Sequence, residues 1–124
     1  MNESVFQEIF DMIQDYMPRD WKKMVLFAGY TDGSYSMKYY CMSSDGTYKD
    51  CFSIPGVSRA DLIKLFKNID TILSSERDGL DEKDKWTIFT MAVSDAGRMK
   101  AEFDYKDHSE DLISYERQWK RKYL

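Results

Sequence analysis

A chain of 124 residues that is 43% hydrophobic and 15% aromatic, with only two prolines, has the size of one domain and enough apolar material for a core. Its formal net charge of -4, from 18 Lys plus Arg against 22 Asp plus Glu, argues against a general nucleic-acid binder, which needs a basic surface facing phosphate. The charge is unevenly placed: residues 76–111 carry eleven acidic against six basic groups, and residues 112–124 carry one acidic against four basic.

The N-terminal stretch MNESVFQEIFDMIQDYMPRDW interrupts its apolar positions with charges, so neither a signal peptide nor a membrane span is expected, and a cytoplasmic location is the default. Residues 4–17 place Val5, Phe6, Ile9, Met12, Ile13 and Tyr16 at helical spacing, with Ser4 and Gln7 as a capping box and Pro18 at the exit. From Trp21 the dense apolar run MVLFAGY leads through Asp32-Gly33 to SYSMKYYCM, where period two and the intervening turn residues predict a hairpin. Asp45-Gly46 predicts a second turn, and alternation through Tyr48, Asp50, Phe52 and Ile54 predicts a third strand of an antiparallel meander.

Pro55 and Gly56 end that strand, and Ser58 with Asp61 forms the capping box of a second helix whose stripe is Leu62, Leu65, Phe66, Ile69, Ile72 and Leu73, ending near Ser75. SERDGLDEKDK then reads as a charged loop. WTIFTMAVS and RMKAEFDY are two further strands joined by Asp95, Ala96 and Gly97. In the second of them Met99, Ala101, Phe103 and Tyr105 face the core, while Lys100, Glu102 and Asp104 form a polar face. Ser109 is the expected cap of a third helix, with Glu110 and Asp111 in its first turn. On that helix Leu112, Tyr115, Trp119 and Tyr123 share an inward face, and Arg117, Lys120 and Arg121 lie away from it.

The order α-β-β-β-α-β-β-α predicts a single α+β domain, residues 1–124, with an antiparallel sheet of about five strands and helices covering one face. Whether the meander and the later hairpin share one sheet is open at this level.

Chemistry is harder to find. His108 is the only histidine, in the turn Lys106-Asp107-His108-Ser109-Glu110, and a solvated turn residue is the plain reading. An Asp107-His108-Ser109 triad fails because adjacent residues rarely converge as a triad requires. Cys41 and Cys51 allow a cross-hairpin pair but read first as free buried thiols, and no CxxC pair suggests zinc. The six glycines are dispersed, with no phosphate-cradling motif, and no cofactor is expected. The loop carboxylates Asp78, Asp81, Glu82 and Asp84 do not match a calcium-loop pattern, so a solvated charged face is the simplest account of them. Tyr30, Tyr40 and Tyr48 are candidates for contact residues on an open sheet face. With no enzyme motif present, a module that binds something is the reading left, beside a small metal-dependent hydrolase built on clustered carboxylates or a generic protein-binding adaptor.

Three stretches carry a resemblance: Pro18-Arg19-Asp20-Trp21-Lys22-Lys23; Phe103-Asp104-Tyr105 with Asp107, Ser109 and Glu110; and the closing Glu116-Arg117-Gln118-Trp119-Lys120-Arg121-Lys122-Tyr123-Leu124. With Trp86-Thr87 between them, in this order, the chain resembles the YezG-type immunity proteins, antitoxins that protect bacteria from their own secreted polymorphic toxins. The resemblance implies a cytoplasmic, non-catalytic inhibitor that binds the toxic C-terminal domain of a cognate effector, often a nuclease, one to one and without touching nucleic acid or membrane. An acidic inhibitor suits a phosphate-attracting cleft. Asp104, Asp107, Glu110 and Asp111 are therefore the first candidates for partner contact, and Asp78, Asp81, Glu82 and Asp84 the second.

Overall fold

A computed structural model describes residues 1–31 and 33–124. The helix α1 (Glu3–Gln14) is followed by strands β1 (Trp21–Thr31), β2 (Ser34–Ser43) and β3 (Tyr48–Asp50), helix α2 (Arg59–Asp78), strands β4 (Ile88–Ser94) and β5 (Met99–Asp104), and helix α3 (Leu112–Tyr123). The predicted order and α+β class are those observed. All five strands share one antiparallel sheet, ordered β3-β2-β1-β4-β5, because β1 pairs with β4 from Lys23↔Ser94 to Gly29↔Ile88.

The helices cover both faces, not one. Met24, Leu26, Ala28 and Tyr30 of β1 point toward α1 and α2, into a core with Ile9, Ile13, Leu65, Ile69, Leu73 and Phe89. The alternate residues Val25 and Phe27 point the other way and pack with Tyr40, Ile88 and Trp119 under α3. A central strand buried on both sides needs an uninterrupted apolar run, and MVLFAGY supplies it. Tyr30 and Tyr40 are consequently buried, and Tyr48 packs under α3, so the open face proposed for these three tyrosines does not exist.

Local side-chain bonding shifts several predicted boundaries. Asn2, not Ser4, caps α1: its side chain accepts from the Val5 N–H at 3.3 Å, while the Ser4 hydroxyl donates to the same oxygen. The strand foreseen through Ile54 stops at Asp50, whose carboxylate accepts from the Phe52 N–H at 2.8 Å and turns the chain into a 3-10 turn, leaving Phe52 exposed. The Ser58–Asp61 capping box is present as expected. α2 runs three residues beyond Ser75, since Ser-Glu-Arg-Asp tolerates helix and Gly79 ends it. In the β1–β2 turn Asp32 lies outside the described residues, while Gly33 takes a φ of 70°, in the region glycine favours.

Cys41 and Cys51 are free and fully buried in the α1–α2 core. Burial, with Cys51 beside it, pushes the Cys41 thiol up to about 12, and burial likewise raises Cys51. Both thiols are expected to react with a colourless disulfide reagent at least about tenfold more slowly in the native protein than in denaturant. Equal rates in the two conditions would contradict their burial.

Candidate partner-binding site

The strand register brings the two acidic segments to one end of the sheet. Ile88 pairs with Asp104, so the loop that enters β4 and the turn that leaves β5 lie side by side. Thr87 joins them: its N–H donates to the Asp104 carbonyl at 2.7 Å, and its hydroxyl lies 3.0 Å and 2.6 Å from the carbonyls of Asp104 and Lys106. Gly29 pairs with Ile88, and the Tyr30 N–H donates to the Thr87 carbonyl, which places the β1–β2 turn at this end too.

The loop before β4 is anchored at its two ends and exposed between them. Arg77, in the last turn of α2, donates from Nε to the Trp86 carbonyl at 2.8 Å, and its guanidinium sits over the rings of Tyr30 (4.7 Å) and Trp86 (5.4 Å). Tyr30 in turn donates to Asp70 at 2.7 Å. Asp78, Asp81, Glu82 and Asp84 all lie exposed between Arg77 and Trp86, and Glu82 pairs with Lys85 at 3.1 Å.

The turn after β5 corrects the view of its histidine. His108 is 6% exposed, its ring 4.0 Å from that of Tyr115 at 85°. Nδ1 lies 3.0 Å from Asp111 Oδ1 and Nε2 lies 3.3 Å from Asp104 Oδ2, so the ring sits between two carboxylates with one ring nitrogen facing each. It is a buried clamp and not a solvated turn residue. Ser109 does not cap α3 as predicted: the Asp107 carboxylate accepts from the Ser109 N–H at 2.9 Å, and the helix begins only at Leu112. Glu110 and Asp111 therefore precede the helix.

The four candidate carboxylates here are unequal. Burial raises the Asp104 carboxyl, but the Lys106 N–H, the hydrogen bond and charge of His108, and the Tyr115 hydroxyl together bring it below the ordinary range. Asp104 and Asp111 are thus turned inward to His108, although their side chains keep 36% and 48% of their exposure. Asp107 is exposed and lowered by the Ser109 backbone N–H and hydroxyl. Glu110 is exposed. Beside the turn, a cleft of about 290 Å³ between β5 and α3 is lined by Glu102, Asp104, Tyr115, Lys122 and Tyr123. Its carboxylate Glu102 is held low by the Tyr123 hydroxyl and by Lys100, so this cleft too is internally neutralised.

Among the described residues, no group of three or more His, Cys, Asp or Glu side chains is arranged to hold a metal ion, and no helix is long and apolar enough to cross a membrane. No curated protein matches the chain. A family model described as "Immunity protein YezG-like" matches residues 2–124, essentially the whole length. The chain belongs to the YezG-like immunity protein family.

For a YezG-like immunity protein, the useful distinction is between carboxylates that build the fold and carboxylates that face outward. Asp104 and Asp111 do both, each facing His108 and each keeping part of its side chain exposed. Asp107, Glu110 and the Asp78, Asp81, Glu82, Asp84 loop belong to the second. Sequence reading missed His108 as the organiser of this end, although the signal was present: carboxylates four residues before and three after a lone histidine.

Proposed function

We propose that this protein is a cytoplasmic immunity protein that binds the toxic C-terminal domain of a cognate secreted polymorphic toxin, one to one and without catalysis, and that the toxin domain is a nuclease. The family match over residues 2–124 carries the immunity role. Support for a nuclease partner is electrostatic: the outward carboxylates of two loops gather at one end of the sheet, and such an end complements a cleft built to attract phosphate. The contact residues of this reading are Asp107, Glu110, Asp78, Asp81, Glu82 and Asp84, with Asp104 and Asp111 shaping the turn that presents them.

Co-expression with the C-terminal domain of a toxin gene found next to this one tests the reading. Cells are expected to survive only with the immunity protein present, and light scattering of the purified complex is expected to give one copy of each. Death in both cases, with no complex, would sink the proposal. Charge reversal of Asp107, Glu110, Asp81 and Asp84 to lysine is expected to slow association by about tenfold or more at low salt, and by less at high salt. An unchanged on-rate would remove these carboxylates from the interface.

A further inference from the structure

Eight large hydrophobic side chains are exposed among the described residues, and four of them, Tyr35, Leu80, Tyr105 and Ile113, stand at the acidic end of the sheet. Single exposed apolar residues are ordinary, so the test for each is whether its own element needs it buried. Ile113 is 75% exposed, in the first turn of a helix whose inward face is already filled by Leu112, Tyr115, Trp119 and Tyr123. Tyr105 is 58% exposed and continues the alternation of Met99, Ala101 and Phe103 beyond the edge of their core. Neither side chain is needed to bury its own element.

We infer that the turn from Tyr105 to Ile113 is the docking knuckle of this protein, with those two side chains as apolar anchors entering a basic protein surface. The inference rests on the toxin-binding reading above and adds to it the residues that hold the complex once formed. The segment between the anchors is ordered before any partner arrives: Lys106 N–H to Asp104, Ser109 N–H to Asp107, Thr87 to the Lys106 carbonyl, and His108 between Asp104 and Asp111. A turn so constrained loses little conformational freedom on docking, which favours affinity. The occupant is identified by charge. Asp107 and Glu110 flank the anchors with Lys106 and Arg117 among them, and the adjacent loop adds Asp78, Asp81, Glu82 and Asp84 against Lys83 and Lys85, so this end is acidic on balance and favours a basic partner over an acidic one. Apolar anchors within a charged rim divide the work: the rim governs encounter, and the anchors govern residence.

Surface plasmon resonance with the immobilised, catalytically inactivated toxin domain tests this division. Tyr105→Ala and Ile113→Ser are each expected to raise the dissociation rate by about tenfold, the association rate changing by less than about twofold, with thermal unfolding unaltered. Dissociation rates equal to that of the parent in both variants, with the parent complex still forming, would overturn the anchor assignment and leave the toxin-binding reading standing. Failure of the parent protein to bind would remove both.

Discussion

Trp119→Ala is expected to cost about 3–5 kcal/mol of folding stability, the largest effect of any single substitution in the α3 layer. Trp119 is the one buried residue of α3 and is 3% exposed. Its ring meets Phe27 edge-on at 5.2 Å, with Tyr40 at 5.7 Å and Tyr123 at 5.1 Å, and its indole N–H donates to the buried Thr90 hydroxyl at 2.8 Å. A 12-residue helix rich in Lys and Arg is marginal in isolation, so α3 persists because it is packed. Truncation removes the knob, leaves a cavity against Phe27 and Tyr40, and takes from the buried Thr90 hydroxyl the N–H it accepts. Urea unfolding should show a lower midpoint with an unchanged slope. Trp119→Phe keeps an aromatic ring and loses the N–H, so it should fall between the parent and the alanine variant. A loss below about 1 kcal/mol for alanine would mean that α3 is held by other contacts.

That packing was half legible in the sequence. The face Leu112, Tyr115, Trp119 and Tyr123 follows from helical spacing alone, and it is the face that docks. What it docks on was misjudged, because covering one face is the simpler arrangement for three helices and five strands. The information lay in β1: seven residues without a polar interruption fit a strand covered on both sides, whereas alternation in β2 and β5 fits strands nearer the edges. Joining the meander to the hairpin through β1 and β4 was not legible, since pairing between distant strands leaves no mark on either one. Short-range polar competition was also hidden, as at Asp50, where a carboxylate accepting one N–H outweighed an alternating pattern.

The site shows the same limit in another form. Residue type and spacing pick out the carboxylates, but only the fold says which are consumed. Asp104 and Asp111 look identical in kind to Asp107 and Glu110 in the sequence, and they separate once His108 is seen between them. Conversely, Tyr105 fits the inward alternation of its strand and is exposed only because the strand ends at Asp104. The two acidic segments, about twenty residues apart in the chain, become neighbours through a strand register that no local pattern specifies.

His108→Ala is expected to cost about 1–3 kcal/mol at neutral pH, and this cost should shrink in acid. The ring fills a buried position beside Tyr115 and faces both Asp104 and Asp111. Its removal leaves a void and two carboxylates without their shared donor, though their partial exposure lets water replace much of what is lost. The pH dependence follows from Asp104, whose folded carboxyl lies below its ordinary value: burial opposes this, and the Lys106 N–H, His108 and Tyr115 outweigh burial. Such a group stabilises the fold above the unfolded carboxylate value of about 3.9, and that stability disappears as pH falls through the lower folded value. Without His108 the folded value moves back toward the unfolded one, so the variant's stability should fall less steeply below about pH 4 than the parent's. Parallel urea titrations of the two proteins from pH 7 to about pH 3 would measure this convergence. A difference that stayed constant across that range would mean that His108 acts through its packing on Tyr115 alone. Glutamine at position 108 separates the two contributions, because it restores donors and some volume without the imidazole ring, and should recover part of the neutral-pH stability while leaving the packing on Tyr115 incomplete.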